Sequence, residues 1–325
     1  FKQKGEFDHA LESYEKAIEI KPDFAEAYNN LGTVLSEKGN FEDALMNYKK
    51  AKEIKPGYID AIINMGVAYE KLGKKVKAIE FYETTLTLDS SFVDLYLSLG
   101  KIYYEIKDYN KAIWNLNKFI EFDPSDFEGY FFLGSTYHVI NDFNNALKFY
   151  NKALKIDPNH FNCLNNIGLV NRELGRFNEA ISNYNQSLKI FNENSNTYNN
   201  LGLTYHSMQR DDKAILNFEK ALKINPNFSE AYVNFGSVLQ EKGMFDEAVD
   251  KYNKALAINP NLVAAHFNLS RIKKFSKSDK QIKQMLKIVE KDRTSNTEFA
   301  QVYFALGKAF QDIKNFNASF NYYTK

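Results

Sequence analysis

The chain has 325 residues, more than one ordinary domain needs, so two domains or one extended array is expected. Its 42 basic and 41 acidic residues cancel to +1, which argues against a nucleic-acid binder, since counterion-driven binding needs a concentrated basic surface. Cys163 is the single cysteine, so neither an intrachain disulfide nor a cysteine zinc site can form, and no run of 18 apolar residues exists to span a membrane. The first residues, Phe1-Lys2-Gln3-Lys4-Gly5-Glu6, do not read as a signal peptide, and a cytoplasmic location is expected.

Residues 1–24 carry Ala10, Tyr14 and Pro22, a set that recurs downstream. In 25–38, Tyr28, Leu31 and Leu35 fall on one helical face; in 41–54, Phe41, Ala44, Leu45, Tyr48, Ala51 and Ile54 do the same. Gly39 between them predicts the left-handed residue that closes a helix. Pro56 predicts the end of the second helix and an extended Lys55. This unit then repeats. Gly32, Gly66, Gly100, Gly134, Gly168, Gly202 and Gly236 are each 34 residues apart, and the next step falls on Ser270. Ala44, Ala78, Ala112, Ala146, Ala180, Ala214 and Ala248 keep the same step, as do Tyr48, Tyr82, Leu116, Tyr150, Tyr184, Phe218 and Tyr252. The six prolines all lie on a fourth ladder, with Ser90 and Asn192 at its two gaps. Small residues at the glycine and alanine steps predict close helix contacts, where a larger side chain would overpack at a cost of about 1–3 kcal/mol. One helix pair cannot bury its own apolar face, so neighbouring pairs must stack into a solenoid.

These residues resemble the tetratricopeptide repeat, with an aromatic at position 4, Leu at 7, Gly at 8, Ala at 20, an aromatic at 24, Ala at 27 and Pro at 32. Residues 25–58 match as Tyr28, Leu31, Gly32, Ala44, Tyr48, Ala51 and Pro56. The resemblance implies an all-α, right-handed superhelical solenoid: a partial repeat in 1–24, seven complete repeats in 25–262, and a divergent segment in 263–325 that ends in a truncated repeat.

The register breaks after Pro260. A first helix is expected over 263–275, then a polar turn with Ser278 or Asp279 as helix N-cap, a helix over about 280–291, a loop at Thr294-Ser295-Asn296 and a helix over 297–313. Tyr303, Leu306, Gly307 and Phe310 restore positions 4, 7, 8 and 11, and Phe316, Ser319 and Tyr323 restore 17, 20 and 24. The strings from Ala265 to Phe275 and from Phe304 to Asp312 are similar to the junction of bacterial tetratricopeptide proteins that continue into a C-terminal sulfotransferase domain. That resemblance implies the N-terminal arm of a larger enzyme. The family's phosphate-binding loop would lie beyond Lys325, so no catalytic residue carries over. Both ends cut a helix pair, so a fragment of a longer protein is expected. Residues 271–293 hold nine Lys/Arg against three acids, a net of +6, read as a solvated helix face or an electropositive rim.

No cofactor, metal or catalytic residue is expected within the chain. The interval from Gly66 to Gly73-Lys74 has the wrong length for a phosphate loop, and both glycines belong to the repeat. His9, His138, His160, His206 and His266 read as groove or surface histidines, and Cys163 as a small, partly buried residue. Carboxylates such as Glu37, Glu70 and Glu241 lack the closed pocket that paired acid–base work needs.

In the family that these residues resemble, first helices line the concave face and position 6 points into it. Here that position reads Asn30, Asn64, Ser98, Phe132, Asn166, Asn200, Asn234 and Asn268, six asparagines in a chain with only 37 among 325 residues. A primary amide both donates and accepts, so it can hold an extended backbone without reading side chains. The alternative is that these amides bridge neighbouring helices. A similar asparagine ladder lines the repeats of the O-linked N-acetylglucosamine transferase, which keeps a glycosyltransferase arm open beside a stand-alone assembly scaffold. At the break in the ladder, Leu97, Phe127, Tyr130 and Phe131 surround Phe132 as either inter-repeat core or an apolar anchor pocket. The expected partner is a protein or peptide, with the chain's own downstream domain as an alternative occupant, and neither nucleic acid nor membrane.

Overall fold

The computed structural model describes residues 2–290 and 297–325. Among these residues there are nineteen helices and no strand, an all-α repeat solenoid. Lys291, Asp292 and Arg293 of the basic segment and the expected loop at 294–296 lie outside the described residues. The helices group into two compact units, divided in the sequence between Pro158 and Asn159.

The first unit holds α1 (Lys2–Ile20), α2 (Ala25–Glu37), α3 (Phe41–Ile54), α4 (Ile59–Lys71), α5 (Lys75–Leu88), α6 (Val93–Glu105), α7 (Tyr109–Phe122), α8 (Phe127–Val139) and α9 (Phe143–Ile156). The second holds α10 (Phe161–Glu173), α11 (Phe177–Ile190), α12 (Ser195–Ser207), α13 (Asp211–Ile224), α14 (Ser229–Glu241), α15 (Phe245–Ile258), α16 (Val263–Ile272), α17 (Lys280–Val289), α18 (Thr297–Asp312) and α19 (Phe316–Tyr323).

In α2, α4, α6, α8, α10, α12 and α14 a glycine meets a side chain of the helix that follows. A Cβ added at Gly32 would lie 2.7 Å from the Tyr48 ring, at Gly134 2.6 Å from Tyr150, and at Gly202 2.6 Å from Phe218. The glycine is therefore the seat of the side chain at position 24 of its own repeat, an aromatic ring except where Gly100 seats Leu116. Ala44, Ala146 and Ala214 are fully buried beside it. The turn between paired helices is left-handed whatever residue fills it: Gly39 (φ 84°), Gly73 and Gly175 are joined by Lys107 (φ 66°), Asn141 and Gln209. As expected from Pro56, Lys55 leaves the helical region (φ −131°, ψ 88°).

The cores run across repeats. In the first unit Leu45, Tyr48, Met65, Tyr82 and Leu99 share one buried cluster, although they come from three repeats. In the second unit Phe218, Phe235, Tyr252 and Leu269 do the same. An apolar face that one pair leaves open is closed by the next pair, at about 25 cal/mol per Å² of apolar surface removed from water.

The C-terminal segment departs from its expected boundaries. The helix expected over 263–275 stops at Ile272, because Lys273 is extended (φ −97°, ψ 141°). Ser270 at the glycine step is buried and donates to the Phe267 carbonyl (2.7 Å). Phe275 then buries among Ile282, Met285, Leu306 and Ala309, and its N–H donates to the Asp312 carboxylate (3.1 Å). As a result α16 packs against α18, and α17 packs against α18 as well. Asp279 is the N-cap residue of α17, but its carboxylate accepts from Lys273 Nζ and the Ser276 N–H (both 2.6 Å), not from the helix. The regular contact returns at the end: Gly307 seats Tyr323, and Ser319 donates to the Gly307 carbonyl (2.8 Å).

Candidate functional site

All eight residues at position 6 are half-buried on their first helices, which leaves each side chain both a packed side and an open one. Their partners differ between the units.

In the second unit the amides bridge successive first helices. Asn200 donates to Asn165 Oδ1 (3.1 Å), Asn234 to Asn199 Oδ1 (2.9 Å), and Asn268 to Ser237 Oγ (3.1 Å). Each bond links a first helix to the one before it. Asn165 also accepts from Thr197 Oγ1 (3.1 Å), and its own amide reaches Asn166 Oδ1 (3.5 Å). The accepting residues Asn165 and Asn199 are buried, so the bonds work in a medium where an unmet carbonyl oxygen would be costly. These position-5 acceptors were absent from the candidate residues read from sequence. The doublets Asn29-Asn30, Asn165-Asn166 and Asn199-Asn200 were the available signal.

In the first unit the same bond joins α4 to α2: Asn64 donates to Asn29 Oδ1 (3.0 Å), and the Asn29 amide reaches Asn30 Oδ1 (3.4 Å). Further along, aromatic rings replace the amides. Phe132 stands edge-on to Phe131 (5.6 Å between centroids) and to Tyr104 (6.1 Å), with Lys101 Nζ 5.2 Å from its centroid. Phe131 in turn packs on Phe127 and Tyr150. Tyr130 is buried against Phe149, so it belongs to the core. Phe132, Phe131, Phe127 and Leu97 stay half-buried.

Tyrosine hydroxyls at position 24 bond back to the first helix of their own repeat. Tyr82 donates to Glu70 (2.7 Å), Tyr150 to Ser135 (3.2 Å) and Tyr252 to Gln240 (2.9 Å), each using position 9 or 12 of its own repeat. In the repeat of Tyr184 those positions are Leu169 and Arg172, and the buried Tyr184 hydroxyl has only the Thr204 hydroxyl beside it, without good hydrogen-bond geometry. Burial pushes its pKa far above the ordinary tyrosine value.

The histidines are corrected in part. His266 is 1% exposed, its Nε2 lies 2.9 Å from the Pro260 carbonyl, and burial lowers its pKa. It occupies position 4, where an aromatic residue is expected, and fills that core site. His160 caps α10 by accepting from the Cys163 N–H (3.2 Å). His206 lies 2.9 Å from Asp211 and 3.5 Å from Glu241, joining α12, α13 and α14. Cys163 is fully buried. Among the described residues no group of three or more His, Cys, Asp or Glu could hold a metal ion, and no helix is long and apolar enough to cross a membrane.

Comparison with known proteins addresses the repeat itself. Family models described as tetratricopeptide repeat match residues 23–91, 127–193 and 162–227, with others at 93–126 and 217–250. One described as TPR repeat matches 1–39 and 236–270. No curated protein matches the chain. Among solved structures, a chain of the APC/C hetero-tetramer Cut9-Hcn1 aligns with a TM-score of 0.57 at 19% identity, over 82% of this chain and 52% of that one. PilF of Pseudomonas aeruginosa aligns at 0.53 and 24% identity, over 64% of this chain and 94% of its own. MamA is 30% identical over 52% of this chain and 92% of its own, with a TM-score of 0.45. The first two likenesses concern the fold alone. A glycine seat that recurs every 34 residues, in the same stretches that the family models match, shows that this chain belongs to the tetratricopeptide repeat family.

Proposed function

We propose that the chain is a protein-interaction scaffold whose first-helix face holds an extended segment of a protein partner. In this reading Asn166, Asn200, Asn234 and Asn268 contact a partner's backbone on the second unit; taken by itself, the first unit offers Asn30 and Asn64 for the same contact and Phe132 as an apolar anchor. The observation that carries it is the set of half-exposed bridging amides in the second unit. Asn200, Asn234 and Asn268 each use one N–H on the preceding helix, and a primary amide has a second N–H and a carbonyl oxygen to offer. The bridge fixes each amide plane before a partner arrives, which lowers the ordering cost of binding. The hydrogen bonds are those of the helix-bridging alternative, and in this reading the bridge also orients the amide toward a partner.

The test uses the full chain and a peptide selected on it by display. The combined variant Asn166→Ala, Asn200→Ala and Asn234→Ala, assayed by calorimetry below its melting temperature, is expected to lose about tenfold or more in affinity. Unchanged affinity would remove the amides from the proposal.

A finer reading is that the scaffold is the substrate-presenting arm of a larger cytoplasmic sulfotransferase. The residues that favour it are those from Ala265 to Phe275 and from Phe304 to Asp312, which resemble the junction in such proteins. A coding region that continues past Lys325 into a strand and a Gly/Ser/Thr phosphate loop would support that arm. A stop codon there would leave the stand-alone scaffold, and a glycosyltransferase domain would support the asparagine-ladder alternative.

A further inference from the structure

Neither the asparagine ladder nor the aromatic cluster uses the basic segment that follows α16. Within it, α17 has two faces. Ile282, Met285 and Ile288 are buried in one cluster with Val302, Leu306 and Ala309 of α18, while Lys280, Lys283 and Lys287 lie exposed on the other side. The ion pairs of this segment are Lys273 with Asp279 and Lys308 with Asp312, so no carboxylate answers the three exposed lysines among the described residues. Asp279 is spent on Lys273 Nζ and the Ser276 N–H (both 2.6 Å), and Glu290 stands past the helix end as its C-cap residue. Two lysines thus occupy the first turn of α17, at the positive end of its dipole, with no acid in that turn.

The same chain carries the matching surface. Asp8, Glu12, Glu15 and Glu19 follow one another at helical spacing along α1, and all four are exposed. They occupy positions 18, 22, 25 and 29 of the repeat, where α3, α5, α7, α9, α11, α13 and α15 hold at most two acids each. Asp8 pairs with Lys38 (2.9 Å) and Glu12 with Lys16 (2.6 Å), and no lysine or arginine pairs with Glu15 or Glu19 among the described residues. Glu19 lies in the last turn of α1, at the negative end of its dipole, and that turn holds no base. Each helix therefore sets charge against its own dipole, and the two signs are opposite. The stripe from Glu12 to Glu19 and the stripe from Lys280 to Lys287 are equally long, about 10 Å each.

We propose that a second copy of this chain covers α17. The α1 stripe of one copy lies antiparallel on the α17 stripe of the next, with Glu19 facing Lys280, Glu15 facing Lys283 and Glu12 facing Lys287. In that direction the negative end of one helix meets the positive end of the other, so the pairing relieves both unfavourable placements. The two surfaces differ, so the contact is heterologous, and it propagates from copy to copy or closes in a ring. Exposed ion pairs are individually weak, so the assembly forms at high protein concentration and depends on salt. It rests on neither the asparagines nor Phe132.

Sedimentation of the full chain tests this. At about 0.01 M salt, where charges act over about 30 Å, the weight-average mass should rise with protein concentration to at least about twice that of one chain. At about 1 M salt, where they act over about 3 Å, it should return to that of one chain. The triple variant Glu12→Lys, Glu15→Lys, Glu19→Lys and the triple variant Lys280→Glu, Lys283→Glu, Lys287→Glu should each stay monomeric at low salt. The chain with all six changes exchanges the two stripes at unchanged net charge, and it should associate again as the original does. A chain that stays monomeric at low salt would leave the lysines to a different acidic partner or to water and overturn the proposal. So would association that high salt leaves intact, a triple variant that still associates, or a sixfold variant that stays monomeric.

Discussion

At the sixth position of its repeat α8 carries Phe132 and α14 carries Asn234, and the two helices stand on the same framework. Gly134 seats Tyr150 as Gly236 seats Tyr252, at the same 2.6 Å from an added Cβ. The ring at 132 packs on other rings, whereas the amide at 234 ties its helix to Asn199 of α12. The framework therefore fixes where a groove side chain stands, and leaves its chemistry open. One face of the repeat is under a packing constraint, and the face beside it is free to specify a partner.

The strongest challenge to that comparison is to disturb the shared framework. Gly134→Val and Gly202→Val should each cost about 3 kcal/mol, because both drive a side chain into a buried ring. Thermal melts checking this should show the same order of loss in both units. A unit that tolerates the change would have a different framework. Next in size, Asn234→Ala should cost about 1–2 kcal/mol, since it strips the bridging N–H from the buried Asn199 oxygen. Asn200→Ala should cost less, because Thr197 still donates to Asn165. Denaturant unfolding would measure both. If neither moves the midpoint, the bridges do not hold the helices.

A smaller contrast lies among the position-24 tyrosines. Tyr150→Phe should cost about 1 kcal/mol by losing its bond to Ser135, and Tyr184→Phe should be neutral or slightly stabilising, since its hydroxyl is buried unmet. Equal losses in the two would mean that the Tyr184 hydroxyl has a partner. The smallest effect concerns pH. His266 is buried and its pKa is lowered, so the unfolded chain takes up its proton first as pH falls. Its contribution is present above the ordinary histidine value, about 6.5, and is lost as pH drops from there toward the lowered folded value. His266→Phe should flatten the fall in melting temperature below pH 6.5. An unchanged slope would place the acid sensitivity elsewhere.

The repeat was legible because its four ladders are packing requirements: Gly134 can be nothing larger opposite Tyr150, and Pro56 can only end a helix. The left-handed turn was legible at Gly39 and hidden at Lys107 and Gln209, where the backbone overrides residue preference. The C-terminal segment was read in outline only. Its helices lie near their expected spans, but the packing of α16 on α18 follows from Phe275 burying itself after an extended Lys273, which no 34-residue spacing encodes. The position-6 ladder was visible as composition, whereas its acceptors at position 5 depend on how far one helix sits from the next.

The most direct measurement of the amide proposal concerns the partner's backbone. A peptide selected on the full chain by display would be resynthesised with its central backbone amides N-methylated and compared by calorimetry. An affinity loss of about tenfold or more is expected, with little dependence on the identity of the side chains beside those amides. Unchanged affinity for the N-methylated peptide would contradict a ladder that holds the backbone.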